Sequence, residues 1–174
     1  MRGQEDRFWT PGATWTALHC AALVGATLWM AWIVAAPLAR AAESTLAPWL
    51  YLAFDTVCHQ RPDRSFQLAG HPLAVCHRCF GLYLGFFVGF VIQGFWSGPR
   101  RLLLRQPIWI VVCALPMLFD ALLLPLWIEN VPWSRFVTGL FASAPVSALV
   151  WEALRQLSES RRVSTAGGPT TSTD

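Results

Sequence analysis

Residues 55–89 of this chain have the sequence DTVCHQRPDRSFQLAGHPLAVCHRCFGLYLGFFVG. The segment contains three of the five cysteines and three of the four histidines of the 174-residue chain. It continues without a break into an apolar stretch in which Gly81, Gly85 and Gly89 are each four residues apart. This order of features predicts a loop rich in potential metal ligands at the end of a membrane helix.

The composition predicts a protein that lies in a lipid bilayer. Hydrophobic residues make up 55% of the chain and charged residues only 13%, about half the charged share of a typical soluble domain. The ten tryptophans agree with this, because Trp collects where a bilayer meets water. The net charge is +3. The chain has no basic run with interleaved aromatics, so nucleic-acid binding is not predicted.

Four apolar segments are long enough to cross a hydrocarbon core of about 30 Å. They lie at residues 14–37, 79–96, 107–128 and 135–154. A shorter apolar run, APWLYLAFDTV, precedes the Cys/His loop at 55–79 and predicts an interfacial or re-entrant helix. The predicted fold class is therefore all-α, an integral membrane bundle of four transmembrane helices plus one short helix.

The sequence predicts a single transmembrane domain over residues 1–157, followed by a disordered polar tail at 158–174, which is rich in Gly, Ser and Thr. The residues LARAAE after the first apolar run resemble a signal-peptide cleavage site. That run is longer than a signal core and carries Trp29 and Trp32 near its far end. A retained helix is therefore favoured over a cleaved one.

The arginines of the short loops predict the orientation of the protein in the cell membrane. The loop at 97–106 contains three arginines and no acidic residue, which is typical of a cytoplasmic loop. With four spans, both termini are then cytoplasmic and the Cys/His loop is extracytoplasmic.

The segment CHRC at residues 76–79 is a CxxC motif, and a Cys-His pair begins 18 residues upstream. Two cysteines with two residues between them can both reach one tetrahedral ion, and the longer separation is typical of zinc ribbons. We predict a transition-metal site, with zinc favoured and iron or copper as alternatives. The candidate ligands are Cys58, Cys76, Cys79, His59, His71 and His77.

Two other interpretations of the cysteines remain open. A CxxC in an oxidising compartment can cycle between dithiol and disulfide, with Cys58 as a resolving or third thiol. The cysteines could instead form a structural disulfide or stay inert, although three cysteines leave one unpaired.

Charged residues near this loop predict a ligand site. Arg64 and Arg78 lie where the charge rule disfavours arginine, so we predict that they bind an anionic or lipid-linked substrate. Asp120 lies about 12 Å inside the third span, a costly position for an unpaired carboxylate. The fourth span starts at Arg135 on the same side of the membrane. The two residues are therefore predicted either to neutralise each other as an ion pair or to act in catalysis, with Asp120 as a proton carrier.

The glycines at positions 81, 85 and 89 lie on one helical stripe, which lets another helix approach closely. A second copy of the chain is one candidate partner, and a non-enzymatic scaffold assembled through this stripe is a further functional alternative.

The segments CHQRPDRSF, GHPLAVCHRCFGLYLGF, LPMLFDALL and RFVTGL resemble a family of small polytopic membrane proteins, domain of unknown function 2085, over about residues 50–145. The resemblance singles out Cys58, His59, Gln60, Arg64, Ser65, Cys76, Arg78, Cys79, Gly81, Tyr83, Gly85, Asp120, Arg135, Thr138 and Gly139. Ala121 departs from the family pattern, which has glycine after the aspartate. The resemblance implies the topology and the site residues and assigns no activity.

Overall fold

The computed structural model describes residues 12–95, 105–106, 108–122 and 131–166, with side chains described up to residue 161. The helices are α1 (Ala13–Ala41), α2 (Ala47–Asp55), α3 (His77–Phe95), α4 (Ile108–Leu122), α5 (Pro132–Ala142) and α6 (Ala144–Ala166). A single 3₁₀ turn (Pro62–Arg64) and a two-stranded hairpin, β1 (Gln67–Leu68) and β2 (His71–Pro72), form the loop between α2 and α3. The all-helical architecture predicted from the sequence is confirmed.

Within the described residues, three helical segments are long and apolar enough to cross a membrane, namely Ala13–Ala41, His77–Phe95 and Pro132–Arg161. They correspond to the first, second and fourth predicted spans. The third predicted span appears as the apolar helix α4, which has 15 residues. Residues 107 and 123–128 of that prediction, like the arginines at 100 and 101, lie outside the described residues.

The last predicted span differs from the structure at both ends. It begins at Pro132, which follows the extended residue Val131, because proline is well suited to the first turn of a helix. A turn at Ser143 separates α5 from α6 just before Pro145, which has no amide hydrogen to continue the helix. Helix α6 then runs to Ala166. The first nine residues of the predicted polar tail are thus helical.

The glycine stripe of α3 packs against α5 and α6 of the same chain. A Cβ atom on Gly81 would lie 3.1 Å from the amide nitrogen of Leu140, and one on Gly85 would lie 2.5 Å from the Leu140 carbonyl oxygen. A Cβ atom on Gly89 would lie 2.6 Å from the Ser147 hydroxyl. The stripe is therefore a packing face within one chain, and α5 and α6 cover the surface that was the candidate contact for a second copy.

The loop is held against the end of the bundle where α1 ends and α3 begins. Ala69 and Gly70 both have positive φ angles, of 52° and 78°, which form the tight turn between β1 and β2. The Tyr51 hydroxyl of α2 donates a hydrogen bond to the Pro72 carbonyl. A buried cluster beneath the loop includes Ile33, Phe54 and Cys58. The cluster links α1, α2 and the loop in one packed unit.

Candidate metal centre

Cys58 lies directly after α2, where the helix ends. Its amide donates a hydrogen bond to the Phe54 carbonyl at 2.9 Å, and the residue is only 4% exposed. Gln60 then adopts a positive φ angle of 46°, and its side-chain amide donates to the Tyr51 carbonyl. These contacts turn the chain away from α2 and leave the Cys58 sulfur facing α3.

Cys76 and Cys79 lie at the beginning of α3. Cys76 precedes the first helical residue, and Cys79 lies in the first turn. The amide of Cys76 donates a hydrogen bond to the Cys58 sulfur at 3.2 Å. The sulfur atoms of Cys58, Cys76 and Cys79 all lie within 4.8 Å of one another. The three predicted cysteine ligands therefore come together in a group that could hold a metal ion.

Neighbouring groups separate the acidities of two of these thiols. Hydrogen bonds from the Cys58 and Cys79 thiols, and then from backbone amides at the start of α3, lower the pKa of Cys76 far below its ordinary value. The hydrogen bond with Cys76 raises the pKa of Cys58. Within the cluster, Cys76 is therefore the thiol that these contacts favour as a thiolate, the form in which cysteine binds metals and acts as a nucleophile.

The three predicted histidine ligands do not join the cysteine group. His59 is exposed and lines the cavity next to the cysteines. The ring of His77 is buried against Phe66, with 4.4 Å between the ring centroids. His71 lies on β2 and is not part of that cavity lining. Among the described residues, the donor atoms close enough to share one ion come from the three cysteines.

A cavity of about 310 Å³ opens beside the three sulfurs. Its wall contains four arginines, Arg61, Arg64, Arg78 and Arg135. Among the described residues, no carboxylate lines it. The predicted ligand-binding arginines therefore face one space, and they create a positive potential next to the cysteines. Arg61 is not among the arginines predicted from the sequence to bind a ligand, although its position in the segment CHQRPDR places it in the same loop.

Arg78 lies between the two cysteines of the CxxC motif and pairs with Asp120 of α4. Its Nη2 lies 2.7 Å from Asp120 Oδ2 and its Nε 3.1 Å from the same oxygen. The Ser134 hydroxyl donates a hydrogen bond to the other carboxylate oxygen. Asp120 is 2% exposed. The carboxylate thus holds the arginine of the motif in place from behind the cavity wall.

The predicted ion pair of Asp120 with Arg135 is therefore wrong, because Arg78 from α3 occupies that position. Arg135 lies in the first turn of α5 and lines the cavity instead. Its Nε is buried and has no hydrogen-bond partner among the described residues. Ser134 was missed from the sequence, since a serine at the start of a helix has many uses and nothing in its neighbourhood indicates a carboxylate partner.

Comparison with known proteins agrees with the membrane architecture. A family model described as "Predicted membrane protein (DUF2085)" matches residues 58–149, which is more than half of the chain. An uncharacterized protein of Methanocaldococcus jannaschii is 35% identical over 98 residues, which cover 56% of this chain and 63% of that protein. An uncharacterized protein of Methanothermobacter thermautotrophicus is 45% identical over 40 residues, 23% of this chain and 36% of that protein.

The chain thus spans less than two thirds of the length of each of these two relatives. No solved structure matches the chain. The family match begins at Cys58 and ends at Leu149, so it includes all three cysteines, the four cavity arginines and Asp120. On this evidence the chain belongs to the DUF2085 family of predicted membrane proteins.

Proposed function

We propose that this integral membrane protein binds a transition-metal ion, zinc by preference, through Cys58, Cys76 and Cys79. The supporting observation is the proximity of three sulfurs within 4.8 Å. Around a tetrahedral zinc with Zn–S bonds of about 2.3 Å, the sulfurs are about 3.8 Å apart. Small side-chain movements suffice to reach that spacing.

The donor set favours zinc over the harder divalent ions. Thiolates are soft ligands that select zinc, copper(I) or iron over magnesium and calcium. Three protein ligands leave a fourth position, which in zinc sites holds either another protein ligand or water. His59 lies next to Cys58 and borders the cavity, so it is the candidate for a closed, structural site. A water molecule in its place would leave the site open for catalysis.

The same proposal includes an anionic substrate in the arginine-lined cavity. Arg64, Arg78 and Arg135 border the space next to the sulfurs, where guanidinium groups suit carboxylate or phosphate oxygens. Asp120 acts in this scheme as a positioning residue, because it touches Arg78 and does not line the cavity. Metal and anion would then meet at one end of the membrane bundle.

Elemental analysis tests the metal site. The protein is purified in mild detergent without chelator, next to its Cys76→Ser and Cys113→Ser variants. We expect about one equivalent of zinc in the wild type and in Cys113→Ser, whose cysteine lies in α4 away from the cluster, and a loss of metal in Cys76→Ser. If iron or copper instead of zinc were present in the wild type and in Cys113→Ser and lost in Cys76→Ser, the site would stand and the metal assigned to it would change. Equal metal content in all three proteins, or none, would reject the site.

The lowered pKa of Cys76 supports a second candidate, a membrane thiol–disulfide oxidoreductase. The Cys76 thiolate would attack a disulfide of a partner protein, form a mixed disulfide and release the partner's other sulfur as a thiol after protonation. Cys79 or Cys58 would then displace the reduced partner and form an internal disulfide. A mixed disulfide trapped in the double variant Cys58→Ser, Cys79→Ser, which retains only the attacking cysteine of the cluster, and released by reductant would favour this function.

A further inference from the structure

A second cavity, of about 530 Å³, lies between α1, α3 and α6, further along α3 from the cysteine cluster. Small and apolar residues form its wall, including Ala22, Gly25, Ala26, Trp29, Leu82 and Phe86. In the part of the chain that the structure describes, no charged side chain lines it. All three helices belong to the segments that are long and apolar enough to cross a membrane. At that depth an apolar space has few partners for water and suits a hydrocarbon chain.

The two cavities are neighbours along one face of α3. Cys79 lines the arginine cavity, and Tyr83, four residues further on, lines the apolar one. One helical turn advances about 5.4 Å, so the end of one space is close to the beginning of the other. Tyr83 and Met30, both from the apolar wall, pack against the buried cluster that contains Cys58.

The arginine cavity also contains polar groups that lack partners. His77 is 4% exposed, and its Nδ1 has no hydrogen-bond partner among the described residues. Arg135 Nε is likewise buried without one. Both residues line the cavity. Because an unsatisfied buried polar group costs free energy, these atoms indicate a hydrogen-bonding ligand in this space.

The charges define the class of that ligand. The arginine cavity brings together four guanidinium groups, and among the described residues the carboxylates that pair with them are Asp63 and Asp120. A zinc ion with three thiolates would add one negative charge, which still leaves the site positive. An anion with several oxygens, such as a phosphate group, therefore fits. The cavity lies at the ends of α3 and α5, which belong to segments long and apolar enough to cross a membrane, and lipid head groups are expected near the ends of such segments.

We propose that the two cavities together bind one membrane lipid, with its phosphate among the arginines and its hydrocarbon chain between α1, α3 and α6. This inference rests on the anionic ligand of the proposed function and does not require the metal. It names the ligand class of the site: an anionic amphiphile, whose phosphate group is not neutralised by a cation of its own and which has at least one long apolar chain.

The test measures binding to the full-length, delipidated protein in detergent by isothermal titration calorimetry. The probes are dioctanoyl phosphatidic acid, dioctanoyl phosphatidylcholine and inorganic phosphate. We expect phosphatidic acid to bind at least tenfold more tightly than either other probe. Equal affinity for phosphatidic acid and inorganic phosphate would mean a free anion and overturn the proposal. Equal affinity for the two lipids, or no binding, would overturn it as well.

Two variants separate the head-group and chain sites. Arg135→Gln removes one unpartnered donor. We expect it to lower the affinity for phosphatidic acid and for inorganic phosphate alike by about tenfold, the effect of one charged hydrogen bond. Gly25→Leu fills the apolar cavity, because a Cβ atom on Gly25 meets nothing within 4 Å. This variant should lower the affinity for phosphatidic acid and leave the affinity for inorganic phosphate unchanged. Arg40→Gln and Leu28→Phe, at exposed positions of α1, are the matched controls and should bind as the wild type does.

Metal content measured on the same samples distinguishes the two proposals. A metal-free protein that still binds phosphatidic acid would overturn the metal centre and keep the lipid site. A metal-loaded protein that binds no lipid would do the reverse. Circular dichroism of each variant shows that it is folded before its affinity is interpreted. A loss of binding in Gly25→Leu that Leu28→Phe also shows would remove the assignment of the chain site.

Discussion

Arg78 and Asp120, 42 residues apart in the sequence, form an ion pair between a partly buried guanidinium and a buried carboxylate, in which two guanidinium nitrogens bind the same carboxylate oxygen. Arg78 Nη2 also donates to the Asp120 carbonyl at 3.0 Å. The pair joins α3 to α4 directly next to the cysteine cluster. These contacts fix the side-chain conformation of Arg78, and because Arg78 lies between the two cysteines of the CxxC motif, they hold that turn against the bundle.

Asp120→Asn is expected to destabilise the protein strongly. Breaking a fully buried pair costs about 3–5 kcal/mol; because the remaining charge on Arg78 is partly exposed and borders the cavity, we expect a loss at or below the lower end of that range. Chemical unfolding in detergent measures this change. Asp63→Asn is the matched control, because Asp63 pairs with Arg61 and Arg64 at exposed positions, where a pair contributes about 0–1 kcal/mol. Similar losses in the two variants would contradict the role of the Arg78–Asp120 pair.

Gly85→Ala is expected to destabilise the packing of α3 on α5. The new Cβ atom would lie 2.5 Å from the Leu140 carbonyl oxygen and 2.9 Å from its Cα, so the helices would have to separate. Such overpacking costs about 1–3 kcal/mol. The midpoint of thermal unfolding in detergent should fall accordingly.

Gly25→Ala provides the comparison for that variant. Its new Cβ atom meets nothing within 4 Å, and alanine favours a helix over glycine by about 1 kcal/mol. The unfolding midpoint should therefore stay the same or rise. A Gly85→Ala protein as stable as the wild type would show that α3 and α5 are not in close contact.

The acidity of Cys76 predicts selective alkylation. In metal-free protein, Cys76 remains a thiolate between pH 8 and pH 6, whereas Cys58, whose pKa is raised, is a thiol there. The rate at which Cys76 reacts with iodoacetamide should stay nearly constant over this range. The rate of Cys58 should fall about tenfold for each unit by which the pH is lowered. Mass spectrometry of the cysteine peptides measures both rates. Faster modification of Cys58 at pH 6 would contradict this order.

The same shift predicts how stability depends on pH. The pKa of Cys76 is lower in the folded protein than in the unfolded chain, where it has its ordinary value. Its contribution is therefore complete above the unfolded pKa and declines as the pH falls toward the folded value. Metal-free wild type should lose more stability on acidification from pH 9 to pH 6 than Cys76→Ser does. Parallel curves for the two proteins would contradict the shift.

The arginine-rich loop at 97–106 predicts a cytoplasmic C-terminus. A green fluorescent protein fused after residue 174 should fluoresce in cells, because it folds in the cytoplasm, and an alkaline phosphatase at the same position should be inactive. Replacing the three arginines of that loop by glutamine should weaken this preference. An active phosphatase fusion on the wild-type chain would place the cysteine loop on the cytoplasmic side.

Local patterns predicted most of the architecture and the ligand types. The apolar segments, the short helix before Cys58 and the CxxC turn depend on neighbours in the sequence, so composition and spacing were sufficient to find them. The end of the last helix was missed because Arg155 forms ion pairs with Glu152 and Glu159 along its surface. Polar residues there support a helix instead of a disordered tail.

The sequence by itself determined a helical membrane protein with three cysteines and several arginines in one loop region, since hydrophobic length and ligand spacing are local properties. Only the tertiary structure decided that Arg78 forms the ion pair with Asp120, that Arg135 lines a cavity and that the glycines contact α5. Each of these depends on which helices are neighbours. The close approach of α3 and α5 at Gly81 and Gly139 brings those residues together, because small residues let two helix backbones come within contact distance.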